Sequence, residues 1–141
     1  MMDARKEQYL LIVDDQPAIC ELLNEAFASE GYQIETASNS DQAIRAIRAR
    51  VPKLIFMDIN MPGKNGLEVT QKIKEVNSDV EVVILTSYDI PEYRAAALRS
   101  GASHFFIKGN SGSDEIATFV RCSFQKRGKD VCAGFEVPEV M

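Results

Sequence analysis

Two acidic signals stand at the ends of short apolar runs. Tyr9-Leu10-Leu11-Ile12-Val13 ends on Asp14-Asp15, and Leu54-Ile55-Phe56-Met57 ends on Asp58. A hydroxyl, Thr86, follows the run from Val80 to Leu85, and an ammonium, Lys108, follows His104-Phe105-Phe106-Ile107. Three carboxylates drawn together raise one another's pKa and cost stability. A hard divalent cation relieves that conflict, and Mg²⁺ takes oxygen ligands, keeps several waters and is often completed by a phosphate. One carboxylate can then hold metal while Asp58 attacks phosphorus, because carboxylates form acyl phosphates. Thr86 can donate a hydrogen bond to a phosphoryl oxygen, and Lys108 can offset the added charge. Taken singly, each residue has a plainer explanation: Asp58 as a turn former or N-cap, Thr86 as a turn cap, Lys108 as a surface charge. The weight lies in four strand ends carrying such groups together: Asp14-Asp15, Asp58, Thr86 and Lys108.

Those ends need a sheet to align them. Leu54 to Met57 lacks polar alternation and is too short for a helix, so it is expected as a strand buried on both faces. The chain alternates strand and helix five times. Strands are expected at Tyr9–Val13, Gln33–Ala37, the run up to Asp58, Val80–Leu85 and His104–Ile107. The first helix runs from Pro17 to about Glu30, with Ile19, Leu22, Leu23, Ala26 and Phe27 as its apolar face and Gly31 as its stop. A short helix capped by Asn39 or Ser40 buries Ala43, Ile44 and Ile47. Pro62, Gly63 and Gly66 break the chain before a helix from Leu67 to Val76. Further helices follow at Ile90-Pro91-Glu92 to Ser100-Gly101 and from Asp114 to about Phe124. Repeated βα units imply a parallel sheet with right-handed crossovers and helices on both faces. In such a sheet all strand carboxyl ends point one way, the edge where open α/β sheets bind ligands.

Composition narrows the classes. The chain has 141 residues, 21 acidic and 16 basic, for a formal charge of -5, which does not favour a nucleic-acid surface. It has no apolar run long enough for a bilayer and no signal-peptide region, so a cytoplasmic location is expected. The three cysteines, Cys20, Cys122 and Cys132, share no metal-ligand spacing. Cys20 is expected as a small core residue and Cys132 as a thiol in a loose tail. His104 starts the last strand, at the edge opposite Lys108, and is expected to be structural or at the surface. No Gly-rich nucleotide loop and no nucleophile elbow is present.

In order and spacing, Val13-Asp14-Asp15 with Pro17, Met57-Asp58-Ile59-Asn60-Met61-Pro62-Gly63 with Gly66, Leu85-Thr86-Ser87 and Phe106-Ile107-Lys108 resemble the receiver domain of bacterial two-component response regulators, the CheY-like family. The resemblance covers about Tyr9 to Phe124. It implies a (βα)5 doubly wound, flavodoxin-like fold with strand order 2-1-3-4-5. It divides the chain into an extension, 1–8, a receiver domain, 9–125, and a flexible tail or start of a linker, 126–141. It implies that Asp58 takes a phosphoryl group from a phosphohistidine on a sensor histidine kinase or phosphotransfer protein. Asp15 would be the direct side-chain ligand of Mg²⁺, Asp14 would act partly through water, and Asp58 and the Asn60 carbonyl would complete the set. Thr86 and Lys108 would contact the phosphoryl group, with Thr86 coupled to a switch residue at Phe105.

Two positions depart from the pattern. Phe105 lacks a tyrosine hydroxyl, so a switch there rests on burial. Gly109 stands where the family usually has proline, which loosens the following loop. Asn60 and Tyr88 would modulate attacking water and so a weak self-dephosphorylation. The output face would be the helix Glu92–Arg99, the last strand and the final helix, serving a downstream protein, a further output domain or a second copy of the chain. Direct nucleic-acid and membrane binding are not expected. The alternative is a receiver-like docking module that works without phosphate. A phosphatase of similar layout fits poorly, because Asn60 cannot supply the general acid such enzymes carry two residues after the nucleophile.

Overall fold

A computed structural model describes residues 9–61, 63, 65–109 and 113–125. The expectations for the extension, the tail with Cys132, Pro62 and most of the loop after Lys108 lie outside the described residues.

Among the described residues, five strands form one parallel sheet: β1 (Tyr9–Val13), β2 (Gln33–Ala37), β3 (Leu54–Met57), β4 (Glu81–Thr86) and β5 (His104–Ile107). Their spatial order is β2-β1-β3-β4-β5, and every neighbouring pair is parallel. Five helices alternate with them: α1 (Pro17–Ala28), α2 (Ser40–Ala49), α3 (Gly66–Val76), α4 (Pro91–Ser100) and α5 (Ser113–Gln125).

The period-2 geometry of a strand divides each apolar run between two cores. Leu11, Val13, Ile55, Met57, Val82, Ile84, Phe105 and Ile107 face α2, α3 and α4, packing on Ala43, Ile47, Val69, Ile73 and Ala97. Leu10, Ile12, Leu54, Phe56, Val83, Leu85 and Phe106 face α1 and α5, packing on Leu23, Phe27, Ile116, Phe119 and Val120. Runs that look uniformly apolar in sequence are so because both faces are covered. β2 is an edge strand, and only Ala37 of its five residues is buried.

Several helix ends follow local chemistry. Asn39 caps α2 by accepting from Gln42 N at 2.9 Å, and Asn65 caps α3 by accepting from Leu67 N at 2.7 Å. Gly101 ends α4 in the left-handed region, φ 103°, where a Cβ is disfavoured. α1 stops at Ala28, two residues short of the expected end. The left-handed Gly31, φ 92°, lies in the turn after it rather than at the helix stop. Leu22 corrects the expected apolar face of α1: it is 52% exposed, because the buried stripe narrows to Leu23 and Phe27. α3 starts one residue early, at Gly66, and Thr86 is the last residue of β4 rather than the first beyond it.

Candidate functional site

The sheet's hydrogen-bond ladder runs one residue past three strands. Asp14 N donates to Ala37 O at 2.9 Å, Asp58 N to Val13 O at 2.9 Å, and Lys108 N to Thr86 O at 2.8 Å. Each functional side chain therefore leaves a backbone already fixed by its neighbour. Val13 pairs with Met57 in register, so Asp14 and Asp58 follow side by side on adjacent strands.

The expected cluster forms. Asp14, Asp15 and Asp58 each offer one carboxylate oxygen, and these three atoms lie within 4.8 Å of one another. Asp14 and Asp58 are buried, and Asp15 is exposed. Lys108 reaches over from β5, with Nζ 2.7 Å from Asp14 Oδ2 and 3.4 Å from Asp58 Oδ2. Burial, reinforced by the neighbouring Asp14, pushes the Asp58 carboxyl up to about 6 against the opposing pull of Lys108. A cation beside these groups would restore the ionised form.

The donor set fits a hard divalent ion: all three ligands are carboxylates and one faces solvent, the arrangement Mg²⁺ favours when it retains water. The buried Asp14 Oδ2 is engaged by the Lys108 ammonium at 2.7 Å, so a cation there would share that oxygen with Lys108. The other Asp14 oxygen, Oδ1, accepts from Gln16 N at 2.9 Å, which fixes the carboxylate and opens α1. A cleft of about 260 Å³ borders the cluster, lined by Asp14, Asp15, Pro17, Cys20, Glu21 and Ser38 among others.

The remaining expected residues surround this core at different distances. Thr86 is fully buried, and its Oγ1 accepts from Tyr88 N at 3.3 Å. Phe105 is buried on the face of the sheet toward α4, among the residues of that core. Asn60 is exposed, two residues beyond Asp58. Tyr88 is 50% exposed, and its ring meets Tyr93 of α4 edge-on at 6.1 Å. His104 lies away from the acidic edge as expected, buried, with its ring stacked on Phe119 at 4.9 Å and tilted against Phe106 at 4.4 Å.

Three contributors were not legible in the sequence. Gln16 makes no side-chain cap for α1; its Oε1 instead accepts from Lys108 Nζ at 2.9 Å, holding the ammonium over the carboxylates. Gly66 looks like a simple chain breaker, yet a Cβ there would stand 1.9 Å from the Asp58 carbonyl oxygen. Its own N–H donates to Ile59 O at 2.9 Å, so α3 is laid directly on the backbone of the Asp58 loop. Cys20, expected in the core, is half-buried, and its Sγ donates to Asp14 O at 3.5 Å. Burial, with Asp14 next in weight, pushes its thiol pKa up.

Fold and site together define a doubly wound α/β protein with an acidic, cation-ready pocket at the carboxyl ends of its strands, closed on one side by a lysine. The chain belongs to the response regulator receiver domain family, whose model matches residues 10–121. This chain is 36% identical over 99 residues to sporulation initiation phosphotransferase F of Bacillus subtilis, covering 70% of this chain and 80% of that protein. It is 32% identical over 119 residues to the probable transcriptional regulatory protein TcrX of Mycobacterium tuberculosis, covering 84% of this chain and 50% of TcrX. Among solved structures it is similar to the response regulator protein TrrA from Thermotoga maritima in complex with Mg(2+)-BeF. The TM-score is 0.74 at 34% identity, with 82% of this chain and 98% of that one covered. The receiver domain of NtrX from Brucella abortus gives a TM-score of 0.77 at 29% identity, covering 84% and 99%. The chain thus spans about half the length of TcrX and most of phosphotransferase F. Among the described residues no helix is long and apolar enough to cross a membrane.

Proposed function

We propose that this chain accepts a phosphoryl group on Asp58 from a phosphohistidine of a sensor kinase or phosphotransfer protein. The carrying observation is the Asp58 carboxylate, buried at a strand end beside Asp14 and Asp15, with the Lys108 ammonium 3.4 Å away. An Asp58 oxygen attacks phosphorus, the P–N bond to the donor imidazole breaks, and its electron pair returns to the ring nitrogen. The product is an acyl phosphate on Asp58.

Lys108 faces the charge that accumulates on the phosphoryl oxygens, already oriented by Gln16. Thr86 offers its hydroxyl to one of those oxygens once Oγ1 turns from the Tyr88 N–H. Asp14, Asp15, Asp58 and the Asn60 carbonyl are the groups that would hold Mg²⁺. That ion supplies charge neutralisation and alignment of the phosphoryl oxygens. Hydrolysis is the reverse exchange with water: water oxygen attacks phosphorus, the Asp58–phosphorus bond breaks, and the carboxylate and inorganic phosphate result. Asn60 and Tyr88 flank the path of that water.

The boundaries that go with this reading are a receiver domain over 9–125, preceded by 1–8 and followed by 126–141. The phosphorylated form would present α4, β5 and α5 to a downstream protein, an output domain or a second copy of the chain. A phosphate-independent docking module has no physical use for three converging carboxylates, whose mutual repulsion is a standing cost. The test is incubation with Mg²⁺ and acetyl phosphate. The expected result is an intact-mass gain of one phosphoryl group, absent in Asp58→Ala; no gain in the unmodified chain overturns the proposal.

A further inference from the structure

The Lys108 ammonium has three N–H donors and no acceptor, and three oxygens stand around it. Asp14 Oδ2 lies at 2.7 Å and Asp58 Oδ2 at 3.4 Å, and Gln16 Oε1 accepts from Nζ at 2.9 Å. Two of these oxygens belong to carboxylates that metal binding and phosphoryl transfer also claim. The third belongs to a neutral amide with no place in that set. Gln16 can hold a fixed aim because its backbone is tied on both sides. Its N–H donates to Asp14 Oδ1 at 2.9 Å, and its carbonyl accepts from Ile19 N and Cys20 N, both at 3.2 Å. Pro17 follows and confines the residue before it to extended backbone, as its φ of -96° and ψ of 109° show. Lys108 is tied at its own N–H to Thr86 O at 2.8 Å, and its side chain is only 8% exposed. Stem and backbone are thus enclosed, and what is left to set is the direction of the terminal ammonium. On the loop side nothing sets it: Gly109 is left-handed, φ 85°, and among the described residues a Cβ there would meet no atom within 4 Å.

We propose that Gln16 is a positioning residue for phosphoryl transfer, the neutral anchor that keeps the Lys108 ammonium over the site when both carboxylates are engaged elsewhere. The proposal rests on the phosphoacceptor reading above. Asp14 Oδ2 shared with a cation holds the ammonium less strongly, and Asp58 loses its negative oxygen on becoming an acyl phosphate. Both anionic anchors weaken while the amide contact does not. Lys108 then faces the charge on the phosphoryl oxygens from a place already set, rather than from a spread of rotamers. Neutrality matters as much as reach. A carboxylate in the place of this amide would add a further negative group beside three others and would repel the incoming phosphoryl oxygens.

Two measurements on the full chain test this. Gln16 is exposed, so both use Gln16→Met, which has a similar length and no oxygen, without loss of the fold. The first needs neither metal nor phosphoryl group. In a lysine-selective ¹⁵N spectrum at one mildly acidic pH, the Lys108 ammonium hydrogens should exchange with water about threefold faster or more in Gln16→Met than in the unmodified chain. In Gln16→Glu, which keeps an acceptor at the same reach, they should exchange no faster than in the unmodified chain. Equal rates in Gln16→Met and the unmodified chain overturn the proposal. The second is phosphoryl uptake from acetyl phosphate over a series of Mg²⁺ concentrations, followed by intact mass. Gln16→Met should lower the maximal rate about fivefold and move the half-saturating Mg²⁺ concentration by less than about twofold. A glutamine that served only to fix the Asp14 loop would show the reverse split, weaker Mg²⁺ saturation with the maximal rate unchanged, and that result overturns the proposal. An unmodified chain that takes up no phosphoryl group overturns the phosphoacceptor reading and the role in transfer with it, whereas normal uptake in Gln16→Met overturns the role of Gln16 alone.

Discussion

Gly66 lies so close to Asp58 that a methyl group on its Cα would stand 1.9 Å from the Asp58 carbonyl oxygen. The first residue of α3 is thus pressed against the peptide that carries the proposed phosphoacceptor.

Gly66→Ala should therefore destabilise the protein although alanine is the better helix former by about 1 kcal/mol. The clash is with backbone, which cannot swing aside as a side chain can. A loss of about 2 kcal/mol or more in urea unfolding is expected, together with slower phosphoryl uptake from acetyl phosphate as Asp58 shifts. A variant as stable as the parent would show that α3 does not bear on this loop.

The raised Asp58 pKa makes stability depend on pH in a definite direction. Burial and Asp14 lift the carboxyl from 3.8 to about 6 in the folded chain, so the native state holds this proton more tightly than the unfolded one. Between those values the unfolded chain releases it first, and stability falls as pH rises; above about 6 the whole penalty is present. A shift of this size corresponds to an effect of about 3 kcal/mol. In EDTA, Asp58→Asn should be the more stable protein at about pH 7.5, and this advantage should shrink by about pH 4. A pH-independent difference between the two proteins would contradict the assigned burial.

Divalent metal should act in the opposite sense. An ion bound only by the folded state stabilises it by mass action, so millimolar Mg²⁺ should raise the unfolding temperature at neutral pH. Asp15 is exposed and Asp14 buried, which lets the two roles be separated. Asp15→Asn should leave the metal-free protein within about 0.5 kcal/mol of the parent, as surface substitutions usually do, yet remove most of the Mg²⁺ response. An undiminished response in that variant would place the ion elsewhere.

Tyr88 stands half-exposed with its ring against Tyr93, at the mouth of the path proposed for water. Tyr88→Ala should speed the decay of phosphorylated Asp58 by a few-fold, followed by loss of the mass increment after phosphodonor removal. An unchanged decay rate would leave Tyr88 no part in shielding the acyl phosphate.

Much of this molecule was determined by the sequence itself. Alternation of side chains along β1, β3, β4 and β5 assigns each apolar residue to one of two cores, and it does so by strand geometry alone. Five βα repeats dictate a parallel sheet, and a parallel sheet puts Asp14, Asp58, Thr86 and Lys108 at one edge. Local signals also placed Pro17 at the start of α1 and narrowed the cap of α2 to Asn39 or Ser40, of which the structure selects Asn39. Where such signals were diluted they misled: Leu22 has the spacing of a core residue but lies beyond the stripe that the sheet covers.

Only the tertiary structure decided which atoms meet. Gln16 holding Lys108 joins residues 92 positions apart, and nothing local distinguishes that glutamine from a solvent-facing one. The approach of Gly66 to Asp58 depends on how α3 packs, and the Arg94 contacts with Phe105 and Asp89 depend on where α4 lies. Periodicity encodes the face to which a side chain belongs. The reach of a long side chain, the distance between segments and the burial that lifts Asp58 are set only when the elements pack and water is excluded.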